Sequence, residues 1–158
     1  MVMGSFINKD IIKLVNQTEN ADVFFSILPL DWEESIEPIW NSYKNNTKIF
    51  TLEHNKETVA GGMVFSTVSP DVMEYKPLAE SWFNKGYLYL AYIYVNEKYR
   101  ENGLGSLWLN LVFKEYNNQK FWLTIEDYNL TKFYEKSGFK LIQEIQLENS
   151  KEWLMTKR

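Results

Sequence analysis

Nine consecutive residues, Tyr87 to Val95 (YLYLAYIYV), carry no charge and are dominated by Tyr, Ile, Val and Leu. A strand with no polar side needs cover on both faces, so this run predicts a central strand of a sheet. The pattern then changes to a helix. From Gly103 onward, Leu104, Leu107, Trp108, Leu111 and Val112 fall at i, i+3, i+4, i+7 and i+8, and Lys114-Glu115 end the segment with charge. The connection between the two elements carries glycines at Gly103 and Gly105. Glycine removes the Cβ that would hold a ligand away, and the free amides and dipole of a helix's first turn attract negative charge. A strand, loop and helix in this order predict an anion site suited to phosphate or pyrophosphate.

The remaining elements arrange themselves around this unit. Residues 1–20 are polar apart from Ile7, Ile11, Ile12, Leu14 and Val15, and read as a short helix. Val23 to Leu28, stopped by Pro29, predicts a first strand. Asp31 as an N-cap, Glu34 in capping-box position, and Trp32, Ile36, Ile39, Trp40 and Tyr43 predict an amphipathic helix that Pro38 should kink or split. Lys48 to Glu53 and Glu57 to Val68 predict a hairpin joined by His54-Asn55-Lys56, with Gly61-Gly62 marking a bulge or a close approach. Residues 69–86, broken by Pro70, Pro77 and Gly86, are the candidate specificity loop or lid. Phe121 to Ile125 returns to strand, Asn129 to Ser137 is a short helix stopped by Gly138, and Phe139 to Leu147 with Glu152 to Thr156 close the chain as two strands turning at Asn149-Ser150.

Composition narrows the function classes. The length suits one domain over residues 1–158, with 1–20 as an N-terminal extension. A net charge of −4, without a basic run able to follow a phosphate backbone, argues against nucleic acid as a partner. The chain has no Cys, which excludes disulfides, thiolate metal sites and a Cys nucleophile, and suits a reducing cytoplasm. With a single His, only carboxylates remain to hold a metal, and none is expected. Met1 to Asp10 lacks a basic region followed by an apolar core, and no apolar run approaches the roughly 18 residues of a membrane span, so neither secretion nor membrane insertion is expected.

A pair of glycines alone makes many ordinary turns, so the alternatives matter. Trp108 stands where a dinucleotide fingerprint needs its third glycine, and no Gly-Lys-Ser or Gly-Lys-Thr occurs. What remains is Arg100-Glu101-Asn102-Gly103-Leu104-Gly105, which resembles the Arg/Gln-x-x-Gly-x-Gly/Ala motif of the GNAT acyltransferases. A second stretch, Phe133-Tyr134-Glu135-Lys136-Ser137-Gly138-Phe139, is similar to that family's Phe/Leu-Tyr-x-x-x-Gly-Phe segment. The resemblance covers residues 23–157 and is strongest over 88–140. It implies the α+β GNAT fold, a mixed, mostly antiparallel central sheet of about six to seven strands flanked by helices on both faces.

The resemblance further implies an acyl-CoA-dependent N-acyltransferase that moves an acetyl group from acetyl-CoA, as co-substrate, directly to a primary amine. Backbone groups of Ile93, Tyr94 and Val95 would bond the pantetheine arm, and amides of Arg100, Glu101, Asn102, Gly103, Leu104, Gly105 and Ser106 would hold the pyrophosphate. Tyr134 would protonate the departing thiolate, which suits a phenol that is a neutral donor at neutral pH. Its place on an apolar face between Phe133 and Gly138 suits a core aromatic equally well. Where the family usually has an Asn upstream of this Tyr, the chain has Asp127, and Asn129 is either a partner for the pantetheine amides or the helix cap. Lys132 and Lys136 read as a solvated face.

The central strand contains no acid, so the general base is unassigned. Tyr89 and Tyr92 are placed to organise a water, Glu126 and Asp127 end the next strand, and His54 is expected to lie exposed on its hairpin. The acceptor is not legible, and a homodimer stays open as the assembly. A non-catalytic acyl-CoA-binding or regulatory module is the alternative, against which Tyr134 argues.

Overall fold

The computed structural model describes residues 7–158. Their seven strands form one sheet in the order β1-β2-β3-β4-β5-β7-β6. The strands are β1 (Lys13–Asn16), β2 (Thr47–His54), β3 (Glu57–Phe65), β4 (Tyr87–Val95), β5 (Lys120–Ile125), β6 (Lys140–Gln146) and β7 (Lys151–Lys157). Neighbours are antiparallel except β4 with β5. The uncharged run is β4 and lies at the middle of the sheet, where a strand without a polar face belongs. This is the α+β architecture expected from the sequence.

Helices cover both faces, and two adjacent glycines of β3 show how closely. Successive strand residues point to opposite sides. A Cβ on Gly61 would stand 2.5 Å from the ring of Phe24 in the one-turn helix α1 (Asp22–Phe25), and a Cβ on Gly62 would stand 2.5 Å from the ring of Trp108. Trp108 belongs to α5 (Leu104–Glu115) and donates its indole N–H to the Phe50 carbonyl at 2.9 Å. The glycines thus admit one aromatic ring on each face, the close approach that the pair suggested.

Between β1 and β2 the chain makes α1, then α2 (Leu30–Ile36) and α3 (Trp40–Tyr43). A tight 3-10 turn over Glu37–Ile39 separates α2 from α3 at Pro38, the split that a missing backbone donor imposes. The helix starts at Leu30 after Pro29, and no side chain caps it, so Asp31 sits inside the first turn instead of before it. Residues 69–86 are mostly helical, with a 3-10 stretch at Pro70–Tyr75 running into α4 (Lys76–Asn84). The last helix, α6 (Thr131–Glu135), follows a 3-10 turn and stops at Gly138, whose φ is +98°.

Three expectations fail for physical reasons. Val23 to Leu28 is not a strand: Val23 to Phe25 lie in α1 and Ser26 to Leu28 in the turn that follows, because a short apolar run fits either element and here Phe24, Phe25 and Leu28 join the core. Residues 13–16 form β1, which pairs with Phe50 to Glu53 of β2, so this part of the N-terminal segment is an edge strand and not a helix. The part of that expectation falling on residues 1–6 lies outside the described residues. His54 is buried at the end of β2, where its Nε2 accepts a 3.4 Å bond from the Asn8 amide, so the imidazole is not exposed.

Two features of β4 create an opening. Its parallel pairing with β5 ends at Tyr89 opposite Trp122, although both strands continue. On its other side, Met63 faces Ala91 and Gly61 faces Tyr94, so β4 carries one extra residue there. The sequence placed this bulge on the Gly61-Gly62 side, whereas the surplus residue is on β4. Tyr92 takes a φ of +57°, a conformation that costs a non-glycine residue roughly 1–2 kcal/mol and persists only where the surroundings impose it.

Candidate active site

The parting of β4 and β5 opens a cleft of about 550 Å³. One wall is β4 from Tyr89 to Ile93, and the other is β5 from Leu123 with Glu126 and Asp127 beyond its end. Trp32 and Ser35 of α2 stand over the mouth, Leu130 and Tyr134 close the α6 side, and Asp71 and Glu152 lie at the remaining end. The bulge at Tyr92 turns its ring toward α2, where Trp32 meets it edge-on at 6.0 Å and Ser35 Oγ lies 3.3 Å from its hydroxyl.

Tyr134 joins the cleft through its position on α6, where its ring packs edge-on against Phe133 at 4.9 Å and Phe139 at 5.8 Å. Burial pushes its phenol up to about 12, so the hydroxyl stays protonated at neutral pH and keeps a proton to give. The core-aromatic and site roles coexist in this side chain.

The other expected residues divide into two groups. Ile93 lines the cleft, Tyr94 packs on Trp32 at 5.6 Å, and Val95 pairs with Ala60. Residues 100–106 are not among the lining residues and form a separate loop at the start of α5. There Glu101 and Gly103 take φ of +68° and +70°, and α5 begins without a side-chain cap. Uncapped first-turn amides are the donor set that a phosphate suits. Arg100 donates 2.8 Å to the Tyr94 hydroxyl with its guanidinium over that ring, which ties the loop to the end of β4. Asn102 holds the loop by donating to the Tyr99 and Arg100 carbonyls.

Gly105 has a packing task besides the one its motif suggests. A Cβ there would meet the Phe133 ring at 2.9 Å, so this glycine lets α6 close on α5. Asn129 is exposed and does not line the cleft, and its amide donates 2.9 Å to Asp127 Oδ1. Asp127 is therefore the cap of this turn, and Asn129 is not.

Sequence reasoning missed the polar end of the cleft. Tyr75 donates 2.6 Å to Glu152 Oε1, Tyr89 donates to Asp71 Oδ2, and Thr124 Oγ1 lies 3.0 Å from the Tyr75 hydroxyl and 3.4 Å from that of Tyr89. Ser69 donates to the other Asp71 oxygen. These residues come from the 69–86 segment and from β4, β5 and β7, so no spacing in the chain announces the group. Asp71 stays open to the cleft, yet protein crowds its carboxyl and this desolvation pushes it above the usual carboxylate range against the pull of its hydrogen bonds. Glu152 is pushed up for the same reason, with repulsion from Glu126 and Asp71 adding to it.

The family model for the acetyltransferase (GNAT) family matches residues 17–139. No curated protein matches the chain. Among solved structures, a GNAT family acetyltransferase from Elizabethkingia anophelis with acetyl-CoA bound superposes with a TM-score of 0.64 at 15% identity, covering 95% of this chain and 99% of that one. The ribosomal-protein alanine N-acetyltransferase from Escherichia coli gives 0.64 at 17% identity over 93% of each chain. A candidate streptothricin acetyltransferase from Bacillus anthracis, in complex with acetyl coenzyme A, gives 0.55 at 22% identity over 75% of this chain and 67% of that one. At these identities the likeness is one of fold.

Proposed function

Because the chain belongs to the GNAT acetyltransferase family, we propose that it moves an acetyl group from acetyl-CoA to a primary amine by direct transfer in the cleft between β4 and β5. The observation that carries this reading is the parting of those strands together with a helix that starts uncapped, because the cleft then offers a slot for an acyl arm and the separate loop before α5 a donor set for its phosphates. Acetyl-CoA bound to a similar fold supports the choice of donor.

In this reading the amides of residues 100–106 hold the pyrophosphate, and Ile93, Tyr94 and Val95 present backbone groups to the pantetheine arm. The pairing of β4 with β5 ends at Tyr89, which leaves the β5-facing backbone of β4 beyond that point for a ligand. The amine nitrogen forms its new bond to the acetyl carbon as the carbon–sulfur bond breaks, and Tyr134 gives its proton to the sulfur. A shared cleft for both reactants replaces a bimolecular encounter with a fixed geometry.

Calorimetric titration with acetyl-CoA, followed by thiol release with a panel of primary amines, tests the assignment. Affinity together with thiol release is the expected result. Affinity without turnover of any amine would make the chain a binding module, and no affinity would overturn the reading.

A further inference from the structure

Two protons leave the nitrogen of an acceptor ammonium during acetylation, and only one of them ends on the CoA sulfur. The other needs a base, and among the described residues the cleft is lined by five carboxylates, Asp31, Asp71, Glu126, Asp127 and Glu152, and by no Lys or Arg. Three hydroxyl-bearing side chains connect two of them. The chain runs from Glu152 to Tyr75, Thr124, Tyr89 and Asp71, with Ser69 behind the last.

We propose that Glu152 takes the ammonium proton of the acceptor, and that Tyr75, Thr124 and Tyr89 pass it to Asp71, so that the two carboxylates share one labile proton. This rests on the acetyl-transfer reading and deepens it.

The geometry favours Glu152 as the receiving end. Both oxygens of Asp71 are engaged, by Ser69 and by Tyr89, so an amine reaching it directly would have to displace a partner. Glu152 lines the cleft and is joined to the chain through Oε1. The step balances. The ammonium N–H bond breaks and a Glu152 O–H bond forms. Protonated Glu152 then donates to the Tyr75 oxygen, whose O–H turns from Glu152 to Thr124, and the proton moves to Tyr75 as the Tyr75 proton moves to Thr124, the Thr124 proton to Tyr89 and the Tyr89 proton to Asp71. Each hydroxyl ends with one proton, and a single negative charge has moved from Asp71 to Glu152, which is again a base.

The shift must be concerted, because burial pushes the Tyr75 and Tyr89 phenols well above their usual value and so disfavours a phenolate in either. Asp71 then releases the proton to cleft water, to which it is open. The ionisable groups facing this pair are Tyr75, Tyr89, Tyr92 and Glu126, none of them cationic, and Glu152 meets the negative charges of Glu126 and Asp71.

Carbon-13 carboxyl NMR of Asp- and Glu-labelled protein, with Glu152→Gln and Asp71→Asn assigning the resonances, reads the pair without any acceptor. Glu152 is expected to titrate above the ordinary glutamate range, and its midpoint to fall in Asp71→Asn because a negative neighbour is gone. An ordinary midpoint that ignores Asp71→Asn overturns the proposal whether or not an acceptor is in hand. With any amine that is turned over, Glu152→Gln should lower kcat by about 100-fold or more and remove the acidic limb of the pH profile. Thr124→Val, which keeps the shape and cuts the chain, should lower kcat less and abolish the multi-proton solvent isotope effect. A Glu152→Gln protein that keeps both rate and limb overturns the base, and a Thr124→Val protein with the wild-type isotope effect overturns the relay. Wild-type protein that fails to bind acetyl-CoA defeats the acetyl-transfer reading while the carboxylate titration still stands as measured.

Discussion

The ring of Phe133 lies 2.9 Å from the point where a Cβ on Gly105 would stand, so the second glycine of the Arg100 to Gly105 motif is a contact surface between α5 and α6. Gly105→Ala should therefore destabilise the protein by about 1–3 kcal/mol, the usual cost of overpacking, and lower the melting temperature. Phe133→Leu on that background should recover part of the loss. Equal melting temperatures for Gly105→Ala and wild type would show that α6 yields to the extra methyl.

Gly103 bears on the ligand more directly. Its φ of +70° strains any side chain, at a stability cost of roughly 1 kcal/mol for alanine, and a Cβ there would also press on the Lys9 ammonium at 2.9 Å. Gly103→Ala should weaken acetyl-CoA binding about tenfold or more by titration calorimetry, because the loop amides shift with it. An unchanged affinity would detach this loop from the cofactor.

Acetyl-CoA itself should raise the thermal midpoint of the wild type. A ligand bound only by the native state stabilises it by about 2.7 kcal/mol at roughly 100-fold excess over Kd. Differential scanning fluorimetry with and without millimolar acetyl-CoA reads the shift, and no shift in folded protein would count against the donor site.

Tyr134→Phe should preserve folding, because the ring that packs between Phe133 and Phe139 is retained. Its kcat should fall at least about tenfold if the hydroxyl delivers a proton, general-acid catalysis being worth about 10²- to 10⁴-fold. Since burial holds this phenol up to about 12, no alkaline limb below roughly pH 10 should trace to it. An unchanged kcat with chemistry rate-limiting would leave Tyr134 as a core aromatic only.

The upward shift of Asp71 has a consequence for stability. A carboxyl whose folded pKa is raised binds its proton more tightly in the native state than in the unfolded one, so stability falls as pH rises from the ordinary carboxylate value, near 4, through the raised folded value. Asp71→Asn removes that ionisation. Its melting temperature relative to wild type should therefore increase with pH across this window and level off above it. A difference that shrinks with rising pH would mean that the Ser69 and Tyr89 bonds to Asp71 outweigh its desolvation.

How much of this was legible in the chain depends on the range of the forces involved. The uncharged run of β4, the amphipathic face of α5, the split at Pro38 and a hairpin connection within His54-Asn55-Lys56 follow from local periodicity and turn chemistry, whereas register puts His54 in β2 and leaves Asn55 and Lys56, both at positive φ, as the turn. The position of Tyr134 on the short helix before Gly138 was legible for the same reason. Val23 to Leu28 was misread because an apolar hexamer satisfies a strand or a helical turn equally, and only the sheet beneath Phe24 chooses between them. Leu14 and Val15 were misread because edge pairing with β2 outweighed their weak helical spacing.

The sequence by itself determined which segments are strands and helices wherever the pattern was long, and it placed an uncapped helix start after the central strand. Only the tertiary structure decided where β4 and β5 part, that the bulge falls at Tyr92 and Ile93, and that Asp71, Tyr75, Thr124 and Glu152 meet at one end of the opening. Periodicity records how each segment partitions between water and core, whereas the meeting of four polar side chains from separate elements depends on sheet order and register, which no local pattern encodes.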